Sequence, residues 1–132
     1  MKFEEYIKKA ERTCSKLETK ELDNLHQVLG MVTEVGELAD VFKKNMAYGK
    51  EIDWVNVNEE LFDILWYIAN FCRINNIDFE KGLETNIEKL EARYPEKFFT
   101  EERADKRDLK KERAVLENRI ITKEEMDERF RT

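Results

Sequence analysis

Apolar side chains recur every three or four positions through most of this chain, and very little interrupts them: 132 residues contain four glycines and one proline. A multi-stranded sheet consumes Gly and Pro in its turns, so the pattern points to helices and away from strands. Phe3, Tyr6, Ile7, Ala10, Cys14 and Leu17 form one stripe, followed by a break around Thr19–Asn24. A second helix is expected from about Leu25 to Met46, through Val28, Leu29, Val32, Val35, Leu38, Ala39 and Phe42. Tyr48-Gly49-Lys50 ends it, with Gly as the stop. Asn58 reads as the N-cap of a third helix carrying Leu61, Ile64, Leu65, Ile68, Phe71 and Cys72, which frays at Asn75-Asn76. Asp78 caps a fourth, with Phe79, Leu83, Ile87 and Leu90 inside, and Pro95 holds Tyr94 out of helical geometry. The expectation is an all-α four-helix bundle over residues 1–99.

Residues 100–132 differ in character. Charges alternate there with few apolar positions, as in a solvated helical extension or a tail. Thr122 and Glu125 make a capping-box pattern ahead of Met126 and Phe130, so a short amphipathic helix is expected at the end. Charged and apolar residues each reach 41 % of the chain, a mixture that suits amphipathic helices with solvated outer faces. A core this thin also suggests that a partner subunit finishes some apolar faces, giving a homodimer or homotetramer.

The formal net charge is -6. Residues 1–100 hold all of the excess, with 14 Lys/Arg against 20 Asp/Glu, whereas residues 101–132 hold ten of each. Such a balance argues against non-specific nucleic-acid binding. Cys14 and Cys72 are too few and too far apart for a zinc motif and read as reduced, buried thiols. No apolar run approaches the ~20 residues of a membrane span, and the charged beginning does not resemble a signal peptide, so no membrane partner and a cytoplasmic location are expected.

The acidic excess falls in the most apolar helices. Glu34 and Glu37 lie three apart on the second helix and share a face, flanked by Met31-Val32 and Leu38-Ala39. Glu60 and Asp63 repeat the arrangement on the third, among Leu61, Phe62, Ile64 and Leu65. Buried without partners, each would cost several kcal/mol. Two readings stand: a solvated edge of each helix, or a cage of oxygen ligands for a hard divalent cation such as Mg²⁺, with Mn²⁺ as substitute.

On the fourth helix Asn86, Lys89 and Arg93 fall at i, i+3 and i+7 and share a face. They suit phosphate oxygens, Arg by its fork and Lys as a point charge; ordinary i, i+4 pairing with Thr85, Glu88 and Lys89 facing water is the alternative. Tyr67, four residues past Asp63, is a platform for a nucleobase or a core aromatic. His26, the sole histidine, cannot supply a di-iron bundle and reads as a surface or helix-start residue.

The segments TEVGELADVFKK (33–44), EELFDILWYIANF (59–71) and NIEKLEARYPEKF (86–98), in this order, resemble the MazG-like family of all-α nucleotide pyrophosphohydrolases. The similarity covers about residues 22–98. It implies Mg²⁺-dependent hydrolysis of a nucleoside triphosphate to the monophosphate and pyrophosphate. By matching positions it implies Glu34, Glu37, Glu60 and Asp63 as metal ligands, with Glu34 or Glu37 as the base. It likewise places Asn86, Lys89 and Arg93 on the phosphates and Tyr67 on the base, in dimers or tetramers. Many relatives carry an acid directly before the first ligand, where this chain has Thr33. Phosphoribosyl-ATP is the alternative substrate for the same fold. A non-enzymatic helical interaction protein, acting through its charged C-terminal segment, is the other reading.

Overall fold

The structure is a computed structural model that describes residues 1–120. It holds six helices among these residues: α1 Phe3–Glu11, α2 Lys20–Tyr48, α3 Trp54–Ile74, α4 Phe79–Arg93, α5 Glu101–Asp105 and α6 Leu109–Ile120. No strand occurs among the described residues, so the all-α expectation holds. The helix expected around Thr122 to Phe130 lies outside them.

Local signals account for the helix ends, with three corrections to the boundaries. The first stripe stops being helical at Glu11, so Cys14 and Leu17 continue it only in sequence. The expected break at Thr19–Asn24 is instead the start of α2: the Thr19 hydroxyl accepts the Leu22 N–H and satisfies an orphan donor of the first turn. The cap of α3 is Asp53, five residues before Asn58, and it accepts the N–H groups of Val55 and Asn56. Gly49 (φ 64°) closes α2 in the left-handed conformation, and Asp78 caps α4 through the Lys81 N–H.

The chain divides into two compact units, Met1–Ile77 and Asp78–Thr132. In the first, α2 and α3 form an antiparallel pair with α1 packed on α3. The pairing is antiparallel because Asn24 meets Asn75 through reciprocal side-chain amide bonds (3.1 and 2.7 Å), while Gly30 meets Tyr67 further along. Trp66 Nε1 donates to Thr13 Oγ1 at 3.1 Å, tying the end of α1 to α3. In the second unit α4 packs on α6.

The interior is unusually polar. Among the described residues, the buried apolar side chains are Ala10, Val57, Ala69 and Cys72, whereas Asp23, Gln27, Glu60, Asn70, Thr85 and Glu112 are buried polar ones. On α2 the inward face runs Asp23, Gln27, Gly30 and Glu34, at helical spacing. Leu22, Leu25, Leu29 and Val32 occupy a different face and are all exposed, Val32 by 63 %. Such an inversion leaves a long apolar stripe in contact with water, which folded monomers rarely tolerate.

Candidate metal centre

Glu34 and Glu37 project from one face of α2, and Glu60 projects from the second turn of α3 directly across the antiparallel seam. The three carboxylates each bring an oxygen to one place, all within 4.8 Å of one another. Glu60 is the buried member, only 5 % exposed, and its Oε2 has no hydrogen-bond partner; Glu34 is half-buried and Glu37 exposed. Burial, a hydrogen bond with Glu34 and the charges of Glu37 and Glu34 push the Glu60 carboxyl up to about 7. None of the three carboxylates forms an ion pair with a Lys or Arg among the described residues. A buried acid with an orphaned oxygen, facing two further carboxylates, fits a divalent cation bound by oxygen. The expected i, i+3 pairing is therefore realised fully on α2 and by Glu60 alone on α3.

Asp63 lies one turn past Glu60 and is exposed, outside the tight trio. Its charge reaches Tyr6 on α1 and Tyr67 on α3, whose hydroxyls are both raised, chiefly by burial. Tyr67 also feels the charge of Glu34 on α2. Its ring lies so close to the α2 backbone that a Cβ added at Gly30 would overlap it. His26 (centroids 6.2 Å apart) and Trp66 (5.0 Å) meet it edge-on. His26 is thus neither a helix-start nor a surface residue: it lies inside α2, half-buried against Tyr67, with Nδ1 buried and unpartnered. One signal existed in the sequence, since His26, Gly30 and Glu34 are spaced four apart on one helix face.

In the second unit, Asn86 is exposed and Lys89 half-buried on α4. Thr85 does not face water as i, i+4 surface pairing requires; it is 1 % exposed, with its hydroxyl donating to the Lys81 carbonyl at 2.6 Å. Arg93 is held. Its Nε and Nη2 donate to the two Glu112 oxygens at 2.8 and 3.0 Å, and Arg107 donates to the same carboxylate. Those hydrogen bonds, from Arg93 first and then Arg107, hold the Glu112 carboxyl down to about 2. Sequence reasoning missed Glu112, which lies 19 residues from Arg93 amid many similar charges.

The family model for the MazG nucleotide pyrophosphohydrolase domain matches residues 22–98. No curated protein and no solved structure shows a significant match. The matched span contains every carboxylate of the trio, Asp63, Tyr67 and the polar face of α4, and it stops before α5 and α6.

Proposed function

Because this chain belongs to the MazG nucleotide pyrophosphohydrolase family, we propose that it is a Mg²⁺-dependent hydrolase converting an NTP or dNTP to the monophosphate and pyrophosphate. The observation that carries the reading is the convergence of Glu34, Glu37 and Glu60 with an orphaned, buried Glu60 oxygen. Glu34, Glu37 and Glu60 would hold the cation, with Asp63 completing the set from the next turn. Bound Mg²⁺ supplies positive charge against the polyphosphate and makes a water acidic enough to ionise near neutral pH.

The chain's own groups divide the remaining work. Glu34 or Glu37, each less buried than Glu60, takes the proton of the attacking water. The water oxygen bonds to the α-phosphorus as the α–β anhydride bond breaks, and the pair of electrons leaves with pyrophosphate. Asn86 and Lys89 steady phosphate oxygens, joined by the part of the Arg93 guanidinium that Glu112 does not occupy. Tyr67, fixed by Gly30, His26 and Trp66, presents its free edge to the nucleoside. The exposed stripe Leu22, Leu25, Leu29 and Val32 is covered by a second copy, giving a homodimer or a tetramer of dimers. Among the described residues no helix is long and apolar enough to cross a membrane. A cytoplasmic enzyme that clears unwanted nucleotides from the pool is the role that suits these parts.

A pyrophosphate-release screen over the common NTPs and dNTPs and phosphoribosyl-ATP, with Mg²⁺ or Mn²⁺, tests the proposal. Monophosphate and pyrophosphate from at least one compound are expected. Orthophosphate as primary product, or inactivity across the panel, overturns it.

A further inference from the structure

A cleft of about 800 Å³ opens beside the carboxylate trio, within the unit formed by α1 to α3. Glu37 and Glu60 line it on one side, and Lys44 and Lys50 line it toward the end of the α2–α3 hairpin. Its volume falls in the range of small-molecule sites, roughly 300–1,000 Å³. From Glu37 to Lys44 is seven residues of helix, or about 10 Å along the axis. Gly30, against which Tyr67 packs, lies seven residues from Glu37 in the opposite direction. Glu37 therefore sits midway between an aromatic end and a lysine end, with Glu34 toward the aromatic one.

The two lysines are not equivalent. Lys44 Nζ is 2.6 Å from Asp40, which Lys43 also approaches at 3.6 Å. Lys50 forms no ion pair among the described residues, and its backbone is tied down. Its N–H donates to the Lys44 carbonyl at 3.3 Å, and its own carbonyl accepts from Asn45 Nδ2 at 2.7 Å. Gly49, with φ 64°, makes the reversal that brings Lys50 back over the cleft.

We propose that this cleft receives the β- and γ-phosphates of the substrate, the portion released as pyrophosphate, and that Lys50 contacts them, with Lys44 as the second cation. The inference rests on the pyrophosphohydrolase reading above and adds the direction in which the substrate lies along the seam. The nucleoside points to Tyr67 and the polyphosphate to Lys50. A second consequence follows from the lining. Glu37, Asp40, Glu51, Asp53 and Glu60 outnumber the lysines, so the bare cleft repels an anion. Pyrophosphate should enter only together with the divalent cation held by the trio.

Calorimetry with magnesium pyrophosphate tests this on the full chain without any turnover. Wild type should bind it in Mg²⁺ and not in EDTA. Lys50→Ala should bind at least about tenfold more weakly, the loss of one charge-assisted contact, while Lys50→Arg stays within about threefold of wild type. Lys8→Ala, on the outer face of α1, removes the same charge elsewhere and should change nothing. A Mg²⁺ titration identical in wild type and Lys50→Ala shows that the metal centre is intact. Unchanged pyrophosphate affinity in Lys50→Ala and in the Lys44→Ala/Lys50→Ala double variant overturns the subsite alone. No pyrophosphate binding to wild type, with no pyrophosphate released from any nucleotide, overturns the reading beneath it as well.

Discussion

Arg93 and Glu112 are joined by two parallel hydrogen bonds, Nε to Oε1 at 2.8 Å and Nη2 to Oε2 at 3.0 Å, with both side chains largely withdrawn from solvent. The pair fastens the end of α4 to α6, a helix beyond the span that matches the family. It gives Arg93 a structural task in addition to the phosphate contact proposed for it.

Lys89→Ala and Arg93→Ala should therefore behave differently. Lys89 is in no ion pair among the described residues, so its loss should lower kcat/KM about tenfold or more and leave Tm unchanged. Arg93→Ala leaves a buried carboxylate with Arg107 as its remaining partner, and should lower Tm by about 10 °C as well as activity. Equal melting temperatures for the two variants would show that the Arg93–Glu112 pair carries no stability.

The same pair has a pH signature. Arg93 and Arg107 hold the folded Glu112 carboxyl at about 2, below the ordinary value of 4.5. The unfolded chain therefore takes up the proton first as pH falls. The stability this group contributes is complete above 4.5 and is lost as pH drops towards 2. Wild type should melt above Glu112→Gln at pH 6, and the gap should close steadily between about pH 4.5 and pH 2. A gap that stays constant over that window would place the variant's cost in packing rather than charge.

Gly30→Ala sets propensity against packing. In an exposed helix the change stabilises by about 1 kcal/mol. At Gly30 the added methyl meets the Tyr67 ring, which is wedged between His26 and Trp66, and overpacking of this kind costs about 1–3 kcal/mol. Melting at lower temperature, with KM raised for the nucleotide because the ring is displaced, is the expected outcome. A variant more stable than wild type would mean that Tyr67 swings away freely.

The exposed apolar stripe of α2 makes a prediction about assembly. Leu29→Glu and Val32→Glu place charge on side chains that are already exposed in the single chain, 53 and 63 % respectively. Neither should disturb the fold of one protomer. Light scattering should show a dimer or tetramer for wild type and a smaller species for the double variant. An unchanged mass for both proteins would locate the interface elsewhere, and a monomeric wild type would remove it.

Much of this architecture was legible in the sequence, because helical periodicity and capping act locally. Asp78 and Tyr94-Pro95 mark the limits of α4 as expected, and Gly49 the end of α2. The errors came where a side chain chose between competing local roles. Asp53 and Asn58 are both acceptable caps, and the aromatic Trp54 and β-branched Val55 between them hide the first turn of α3. The converging glutamates were legible because two i, i+3 pairs on neighbouring helices leave few alternatives. Tyr67 against Gly30, and Arg93 on Glu112, depend on tertiary contacts between segments 37 and 19 residues apart, which no periodicity encodes.

Glu60 joins function to stability. In the metal-free protein its carboxyl is raised to about 7, first by burial and then by Glu34 and Glu37, so the folded state keeps a proton that the unfolded chain releases near 4.5. The stability belonging to that proton is complete below 4.5 and is lost as pH rises through about 7. Wild type in EDTA should accordingly melt lower at pH 8 than at pH 5. Mg²⁺ requires the ionised ligand, so its affinity should climb over the same interval and level off above about pH 7. Bound metal then stabilises by RT ln(1 + [L]/Kd), about 2.7 kcal/mol at a hundredfold excess over Kd. Glu60→Gln removes the titrating group while nearly keeping its shape. It should be almost inactive, gain little from Mg²⁺, and melt in EDTA no lower than wild type, with a flatter pH dependence. A glutamate kept for structure predicts the opposite: a lower melting temperature in EDTA with activity largely retained. Melts of both proteins at pH 5 and pH 8, with EDTA and with excess Mg²⁺, separate the two, and the opposite pattern would remove Glu60 from the metal site.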